Sequence, residues 1–267
     1  MSNTDDAISL LTALGFSVEA ASEALRVCDG QVENAANYLL MNGIATNDAG
    51  TDDSSPSSNI QMIHSNTSQY SYEDGRSACT CMALSAARNF LRNTTINDDN
   101  VSHVNASFLE EVIQNGIAIY QQHFSKNATE HLSAEEIIEK GIFPQLQLLG
   151  GIRQGILSQD RNSPLGLPEM LRCIRESSSG WVACLITKTP ETVLVCLSPG
   201  SKSVLIDTHP RPQQFAANGA YARIHSSENE LWESLETIFP FTDLRSDVSE
   251  LMAAMYNSFD VYALVPS

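Results

Sequence analysis

The sequence predicts an α+β protein in which a small helical domain precedes a larger domain of helices followed by strands. Between residues 5 and 42, apolar residues recur at helical spacing in short segments. From residue 67 the pattern is again helical, and from residue 180 it changes to β-rich runs separated by turn residues. Helices that precede strands along a chain are typical of the α+β class, in which the strands form an antiparallel sheet.

Charge and composition limit the possible partners. The 267 residues include 32 acidic and 15 basic side chains, which give a net charge of −17. Such a surface repels nucleic acid and anionic lipid, so we expect no nucleic acid and no membrane as partner, whereas a substrate tail that carries Arg or Lys is compatible with it. The sequence has no long apolar run and no basic leader, and its six cysteines form no CxxC pair. We therefore expect a cytoplasmic or nuclear protein with reduced thiols, or one delivered into a host cytosol by a pathogen, without metal or cofactor.

Three short helices are predicted in the small domain. They cover residues 6–13, 17–28 and 31–41, with Ser17 as an N-cap and Gly43 as a stop signal.

A change of composition separates this domain from the rest. The stretch TNDAGTDDSSPSSN is polar, acidic and without apolar periodicity, which indicates a flexible linker. The predicted organisation is a helical domain over residues 4–44, a linker over 45–66 and a larger domain over 67–267.

The segment LLTALGFSVEAASEALRVCDGQVENAANYLL resembles a ubiquitin-associated (UBA) domain. The resemblance rests on the Gly-Phe loop, the Asp-Gly turn and the small residues that let three short helices pack; the family usually has Met where this chain has a Leu before the Gly. It implies that ubiquitin, polyubiquitin or a related modifier binds through its apolar patch. The contact residues that it implies are Leu14, Gly15, Phe16, Leu39 and Leu40. The alternative is that Phe16 and Leu39 are simply core residues of a domain with little core.

In the larger domain, four of the five predicted helices precede the predicted strands. The predicted helices are 78–91, 106–123, 133–139, 167–175 and 228–238, with Gly116 as a weak point inside the second. The predicted strands are 180–187, 192–197, 203–207 and 259–265, of which the first three read as an antiparallel meander.

A thiol at a helix start is the first candidate for chemistry. In the run GRSACTCMAL a loop passes into a helix, with Ser77 as the predicted N-cap and Cys79 in the first turn. The dipole of a helix favours a thiolate at this end. Cys81 points in another direction because a helix turns about 100° per residue, so only one of the two cysteines can face a site. Cys79 is favoured because it is nearer the helix end, although the run CMALS that begins at Cys81 resembles the sequence after the nucleophile of papain-like proteases.

A base and an acid that could orient it follow an apolar β-type run. Asp207 and His209 are two residues apart, so on a strand they project from the same face. Asp207 could then fix the tautomer of the His209 imidazole, as in a catalytic triad. The alternative is a strand-end Asp and a turn His without chemistry. Gln69, ten residues before Cys79, could donate to an oxyanion, but taken alone it is a weak signal.

The order of Gln69, Cys79 and the Asp207-x-His209 pair resembles that of the papain-like deubiquitinases of the herpesvirus tegument type. This resemblance implies Gln69 as oxyanion donor, Cys79 as nucleophile, Asp207 as orienting acid and His209 as base. It also implies thiol-dependent hydrolysis of the bond after the ubiquitin C-terminus, with the UBA-like domain recruiting ubiquitin chains. Pro210 departs from the pattern of many ubiquitin proteases, which have an aromatic residue directly after the catalytic His.

Two other functions stay open from the sequence. The larger domain could be an inactive papain-like fold in a ubiquitin-binding adaptor, or a cysteine enzyme that acts on another modifier or protein. The intact Cys, Asp-x-His and upstream Gln argue against the inactive adaptor.

Overall fold

The chain divides into two units in the computed structural model, Met1–Ser57 and Ser58–Ser267. The described residues are 7–8, 11, 18–28, 35, 38–39, 60–94, 100–124, 133–244 and 249–267. Among the helices that these residues form, none combines the length and the apolar character needed to cross a membrane.

The small unit has a core of mostly small side chains. Helix α1 spans Val18–Val27, inside the predicted segment 17–28, and residues from the two other predicted segments are also helical. The buried residues that pack together are Ala7, Leu11, Ala21, Ala24, Leu25, Ala35 and Leu39. Small side chains let short helices approach closely enough to share one core.

The described part of the larger unit contains seven α-helices and eight β-strands. The helices are α2 Cys79–Asn93, α3 Ala106–His123, α4 Ala134–Glu139, α5 Leu167–Glu176, α6 Pro212–Phe215, α7 Glu228–Ile238 and α8 Glu250–Tyr256. The strands are β1 Gln61–His64, β2 Leu146–Leu148, β3 Arg153–Ile156, β4 Val182–Lys188, β5 Glu191–Leu197, β6 Ser203–Asp207, β7 Tyr221–His225 and β8 Ser258–Pro266. Two 3-10 turns, Gln69–Ser71 and Gly75–Ser77, precede α2.

All the helices and strands predicted for the larger domain are present, with ends that differ by two residues or fewer. Four strands and two short helices were not predicted: β1, β2, β3, β7, α6 and α8. One of these corrects a domain boundary, because β1 lies inside the range 45–66 that was predicted as linker. It pairs with β7 along Gln61–His64, so the prediction of a linker is wrong for its last residues.

The strands form one antiparallel sheet, which confirms the predicted α+β class. The strand order is β1-β7-β6-β5-β4-β8-β2, and β3 also pairs with β8. Side chains alternate between two core clusters: Ala183 and Leu185 of β4 belong to the cluster that also holds residues of α2 and α3. Val182 and Cys184 belong to the cluster that holds residues of α5 and α7. Because both faces are buried, β4 and β5 read as nearly continuous apolar runs in the sequence.

Helix α2 is deeply buried in the larger unit. Nine consecutive residues, Cys79–Ala87, are buried, which places this helix between the sheet and α3. Its small side chains, Ala83, Ala86 and Ala87, are thus packed inside the protein. The first residue of α2 is consequently held against the sheet by the helix as a whole.

Gly116 allows α3 to cross α2 at close range. A Cβ atom at this position would lie 2.6 Å from Met82 Cα and 2.7 Å from Met82 N. As predicted, α3 continues through Gly116 to His123. The absence of a Cβ at Gly116 thus lets the two helix backbones lie close together at Met82.

We expect Gly116→Ala to lower the free energy of unfolding by about 2 kcal/mol. Alanine favours a helix by about 1 kcal/mol over glycine, but the overpacking costs about 1–3 kcal/mol or more when backbone must move. Urea denaturation measures the difference. The control is Gly151→Ala, where no heavy atom lies within 4 Å of the added methyl and the change should stay within about 0.5 kcal/mol. Equal stability of the two variants would contradict the close crossing.

Candidate active site

The thiol of Cys79 belongs to the first residue of α2. The N-cap is Ala78, which directly follows the turn Gly75–Ser77 and makes no side-chain cap. The prediction of Ser77 as N-cap is therefore wrong. Cys79 is 2% exposed, and its Sγ donates a long hydrogen bond of 3.9 Å to the backbone oxygen of Pro190 in the β4–β5 turn. The positive end of the helix dipole favours a thiolate at this position.

Cys81 lies in a different environment. It is fully buried in the hydrophobic cluster shared by α2, α3 and the sheet. Burial, and to a lesser extent the neighbouring Cys79, raises the pKa of the Cys81 thiol to about 12. Such a thiol stays protonated near neutral pH and is a poor nucleophile. Of the two cysteines left open by the sequence, the geometry therefore favours Cys79.

Asp207 and His209 lie together at the end of β6. The Nδ1 atom of His209 is 2.6 Å from Asp207 Oδ1, and the His209 backbone N–H donates to the same oxygen at 2.9 Å. Both residues are almost completely buried. The carboxylate thus holds the imidazole through Nδ1 and leaves Nε2 as the ring nitrogen available for proton transfer.

The charge states of this pair support each other. Burial alone would raise the pKa of Asp207, but Arg211 and His209 hold it well below its ordinary value. Burial alone would lower the pKa of His209, but Asp207 and Glu191 raise it well above its ordinary value. Both shifts favour the carboxylate form of Asp207 and the imidazolium form of His209, which together make an ion pair.

Arg211 is a site residue that the sequence analysis missed. Its Nε donates to Asp207 Oδ2 at 3.0 Å and its Nη2 donates to Glu191 Oε2 at 2.5 Å. Tyr221 donates its hydroxyl to the same oxygen of Asp207 at 3.1 Å. Glu191 directly follows Pro190, so this network joins the acid and the base to the turn that contacts Cys79. The spacing Asp207-x-His209-x-Arg211 was the available signal, but a cation after a proline reads as a surface residue.

Gln69 is buried and held in one orientation. Its Oε1 accepts a hydrogen bond of 2.9 Å from the Thr208 hydroxyl, and its backbone N–H donates to the Thr208 carbonyl at 3.1 Å. Because the amide oxygen is engaged by Thr208, the two Nε2 donors face away from that residue. A Cβ atom at Gly75 would lie 1.7 Å from the Gln69 backbone oxygen, so only glycine lets the chain pass this close. The structure thus links Gln69 to the residue between Asp207 and His209.

Tyr70 is a second neighbour of the candidate site that the sequence did not predict. Its ring lies edge-on to the His209 ring with 6.1 Å between the centroids, and the Arg76 guanidinium lies 5.6 Å from the Tyr70 ring centroid. The side chain is 49% exposed, so Tyr70 stands between His209 and solvent.

His225 is a second buried histidine of the larger unit. It is fully buried on β7, with Nε2 2.9 Å from the Ser234 hydroxyl. Burial, together with nearby Arg223, lowers the pKa of His225 to about 4. It is therefore a neutral core histidine, which leaves His209 as the stronger candidate base.

A separate cavity of about 450 Å³ lies between α5 and α7. Its lining includes Leu167, Pro168, Trp232, Leu235 and Phe239, and none of the candidate catalytic residues. This cavity is therefore not the candidate active site.

The predicted ubiquitin contacts of the small unit are mostly beyond what the structure describes. Leu14, Gly15, Phe16 and Leu40 lie outside the described residues. Leu39 is completely buried in the core of the small unit. For Leu39 the prediction of a surface contact is corrected, because a side chain without exposed area packs in the core and cannot touch a partner.

Comparison with known proteins bears out both resemblances at the level of fold. Residues 4–39 match the family model for the UBA/TS-N domain, so the first part of the chain is a UBA domain. No curated protein matches the sequence of the chain.

The chain is similar in fold to a solved structure. Among solved structures, the chain is similar to the ubiquitin-specific protease encoded by the murine cytomegalovirus tegument protein M48, which was crystallised with a ubiquitin-based suicide substrate. The TM-score is 0.54 and the sequence identity 14%, with 78% of this chain and 86% of that chain covered. At this identity the likeness establishes the fold.

We expect Arg211→Met to lower the free energy of unfolding at pH 7 by about 3–5 kcal/mol, because Asp207 and Glu191 would lose their buried cation. The matched control is Arg161→Met, which removes an ion pair to Glu236 whose side chains are 42% and 50% exposed. The free energy of unfolding of Arg161→Met should fall by less than about 1 kcal/mol. Urea denaturation compares the two variants.

The same variant should unfold at a higher pH in an acid titration. The pKa of Asp207 is lower in the folded protein than its ordinary value of 3.8. The carboxylate therefore stabilises the fold at pH values above 3.8, and this stabilisation is lost as the pH falls through the folded-state pKa. Without Arg211 the folded-state pKa of Asp207 rises, so Asp207 becomes protonated at a higher pH than in the wild type. Acid unfolding of Arg211→Met at the same pH as wild type would argue against this coupling.

Proposed function

We propose that the protein is a deubiquitinase that hydrolyses the bond after the ubiquitin C-terminus through an acyl-thioester on Cys79. The observation that carries the proposal is the pairing of His209 with Asp207 at 2.6 Å beside a β4–β5 turn that contacts a helix-start thiol. A UBA domain in the same chain and the ubiquitin-protease fold support ubiquitin as the modifier.

The acylation step uses three of the proposed residues. The Cys79 thiolate attacks the carbonyl carbon at the ubiquitin C-terminus, and a C–S bond forms as the carbonyl oxygen becomes an oxyanion. The Nε2 donors of Gln69 stabilise this oxyanion. As the oxyanion collapses, the C–N bond breaks and the His209 imidazolium gives its proton to the leaving amine.

The deacylation step returns the site to its starting state. His209, now neutral, takes a proton from a water molecule that attacks the thioester carbon. The C–S bond breaks, and Cys79 is again a thiolate beside imidazolium, while the new carboxyl group of ubiquitin releases its proton to solvent and leaves as a carboxylate. Asp207 keeps its charge throughout and orients the ring.

The UBA domain would raise the local concentration of ubiquitin chains around the site. Tethering converts the second binding event into an intramolecular one, which increases avidity without a new contact at the active site. Leu14, Gly15, Phe16 and Leu40 remain the proposed contact residues. Their contribution would appear with chains rather than with a single ubiquitin.

The decisive test is a ubiquitin probe that carries an electrophile at its C-terminus. We expect a covalent adduct with the wild-type protein, its loss in Cys79→Ala and its retention in Cys81→Ala, because only Cys79 lies at the helix start. Intact-protein mass spectrometry measures the adduct.

Two results would change this proposal. An adduct retained by Cys79→Ala but lost in Cys81→Ala would move the nucleophile by two residues. Failure of the folded wild type to react would contradict deubiquitinase activity, and reaction only with a probe built on another ubiquitin-like modifier would replace the substrate.

The oxyanion role of Gln69 predicts a specific kinetic pattern. Gln69→Ala should lower kcat by about 10²–10³ with little change in KM. Thr208→Val removes the hydroxyl that orients the Gln69 amide and should lower kcat by a smaller factor, roughly tenfold for the loss of a hydrogen bond near 1.4 kcal/mol. Thr208→Ser keeps the hydroxyl and serves as the control.

Steady-state cleavage of ubiquitin joined to a fluorophore measures these effects. If Thr208→Val and Thr208→Ser behaved alike, the hydroxyl would not orient the amide. If the Gln69 variant raised KM and kept kcat, its amide would contact the substrate rather than the oxyanion.

A further inference from the structure

Helix α8 carries its large apolar side chains on the outside. Leu251, Met252, Met255 and Tyr256 have exposed fractions of 71%, 62%, 67% and 41%. At about 100° per residue these four positions fall within an arc of about 140°. The small residues of the other face, Ala253 and Ala254, are half-buried. The apolar face, defined by the four large side chains, is thus turned away from the protein to which the helix is attached.

The orientation of α8 is fixed by a buried asparagine. Asn257 directly follows the helix and is 2% exposed. Its Oδ1 accepts from the Thr242 backbone N–H at 2.9 Å, and its Nδ2 donates to the Thr242 and Ala253 carbonyls at 2.9 and 3.0 Å. These bonds tie the last turn of α8 to the preceding segment. The apolar face therefore has a defined direction.

The apolar face adjoins the candidate active site. The Lys188 ammonium lies 5.0 Å from the centroid of the Tyr256 ring, and Lys188 is the last residue of β4. Two residues later, Pro190 accepts the hydrogen bond from Cys79. Strand register places the two features at the same end of the sheet, since Thr187 of β4 pairs with Asp260 of β8, just after α8.

We infer that this apolar face is the docking surface for the globular body of the ubiquitin-fold substrate whose C-terminal tail reaches Cys79. The inference rests on the proposed function. Contiguous large apolar side chains on a surface mark an interaction site, and methionines adapt well to a partner surface. Ubiquitin offers the apolar patch that would cover them. The continuity of the face with the turn at Cys79 selects the substrate as occupant, and the net charge of −17 disfavours an anionic membrane.

The test compares two substrates and two double variants of the full-length chain. One substrate is ubiquitin joined at its C-terminus to an aminocoumarin, and the other is a short peptide of the ubiquitin C-terminal tail with the same fluorophore. The double variant Met252→Gln, Met255→Gln should raise KM for the ubiquitin substrate by roughly tenfold or more, with kcat unchanged. The peptide substrate should show no change. The double variant Met252→Leu, Met255→Leu keeps the apolar character and should match the wild type.

Several results would overturn the inference. Equal losses on both substrates would mean that α8 supports the fold of the site instead of docking the modifier. If the glutamine variant cleaved the ubiquitin substrate with the same KM and kcat as the wild type, the docking role alone would be overturned. If the wild type cleaved neither substrate, the proposed function would be overturned as well. A dimer in sedimentation that the glutamine variant abolishes, or α8-dependent binding to phosphatidylserine vesicles, would assign the face to a second copy or to a membrane.

Discussion

The carboxylate of Asp207 is the group on which the rest of the site depends. It is almost fully buried, and it accepts hydrogen bonds from the backbone and the ring of His209, from Arg211 and from Tyr221. A buried carboxylate without such donors would destabilise the fold by several kcal/mol, which is comparable to the whole free energy of unfolding of a domain. The bond to the His209 backbone N–H also bends the chain at the end of β6, as Asx turns do. One side chain therefore sets the turn, the orientation of the imidazole and the position of the guanidinium.

The charges around this carboxylate balance locally. Asp207 and Glu191 are the anions, and His209 and Arg211 are the cations that contact or face them. Because the four charges cancel, the site does not carry the net charge of −17 that the whole chain has. In the proposed reaction, a Cys79 thiolate would form next to the β4–β5 turn that this locally neutral cluster joins through Glu191. An acidic protein can in this way support thiolate chemistry without a basic surface.

The helices and core strands could be predicted because their signals are local. The apolar spacing of α3 gave its bounds, Ala106–His123, and β6 follows from an apolar run that ends at an acid. Strands β1 and β7 were missed because QMIH and YARIH carry polar residues on short segments, and only their mutual pairing makes them strands. The candidate site was predicted only in part. Residue types and their order suggested Cys79, Asp207, His209 and Gln69, whose catalytic roles remain predictions.

Apart from Arg211, the partners of those residues could not be read from the sequence, because they come from distant parts of the chain. Thr208 reaches Gln69 across 139 positions, and Tyr221 reaches Asp207 because β7 pairs with β6 in a register that places the two residues opposite each other. The contacts of the β4–β5 turn also join residues that are far apart in the sequence. On one side it contacts Cys79 through Pro190, and on the other it reaches the apolar face of α8 through Lys188. A short turn with no catalytic side chain of its own therefore fixes how far the candidate nucleophile lies from the surface on which a substrate would rest.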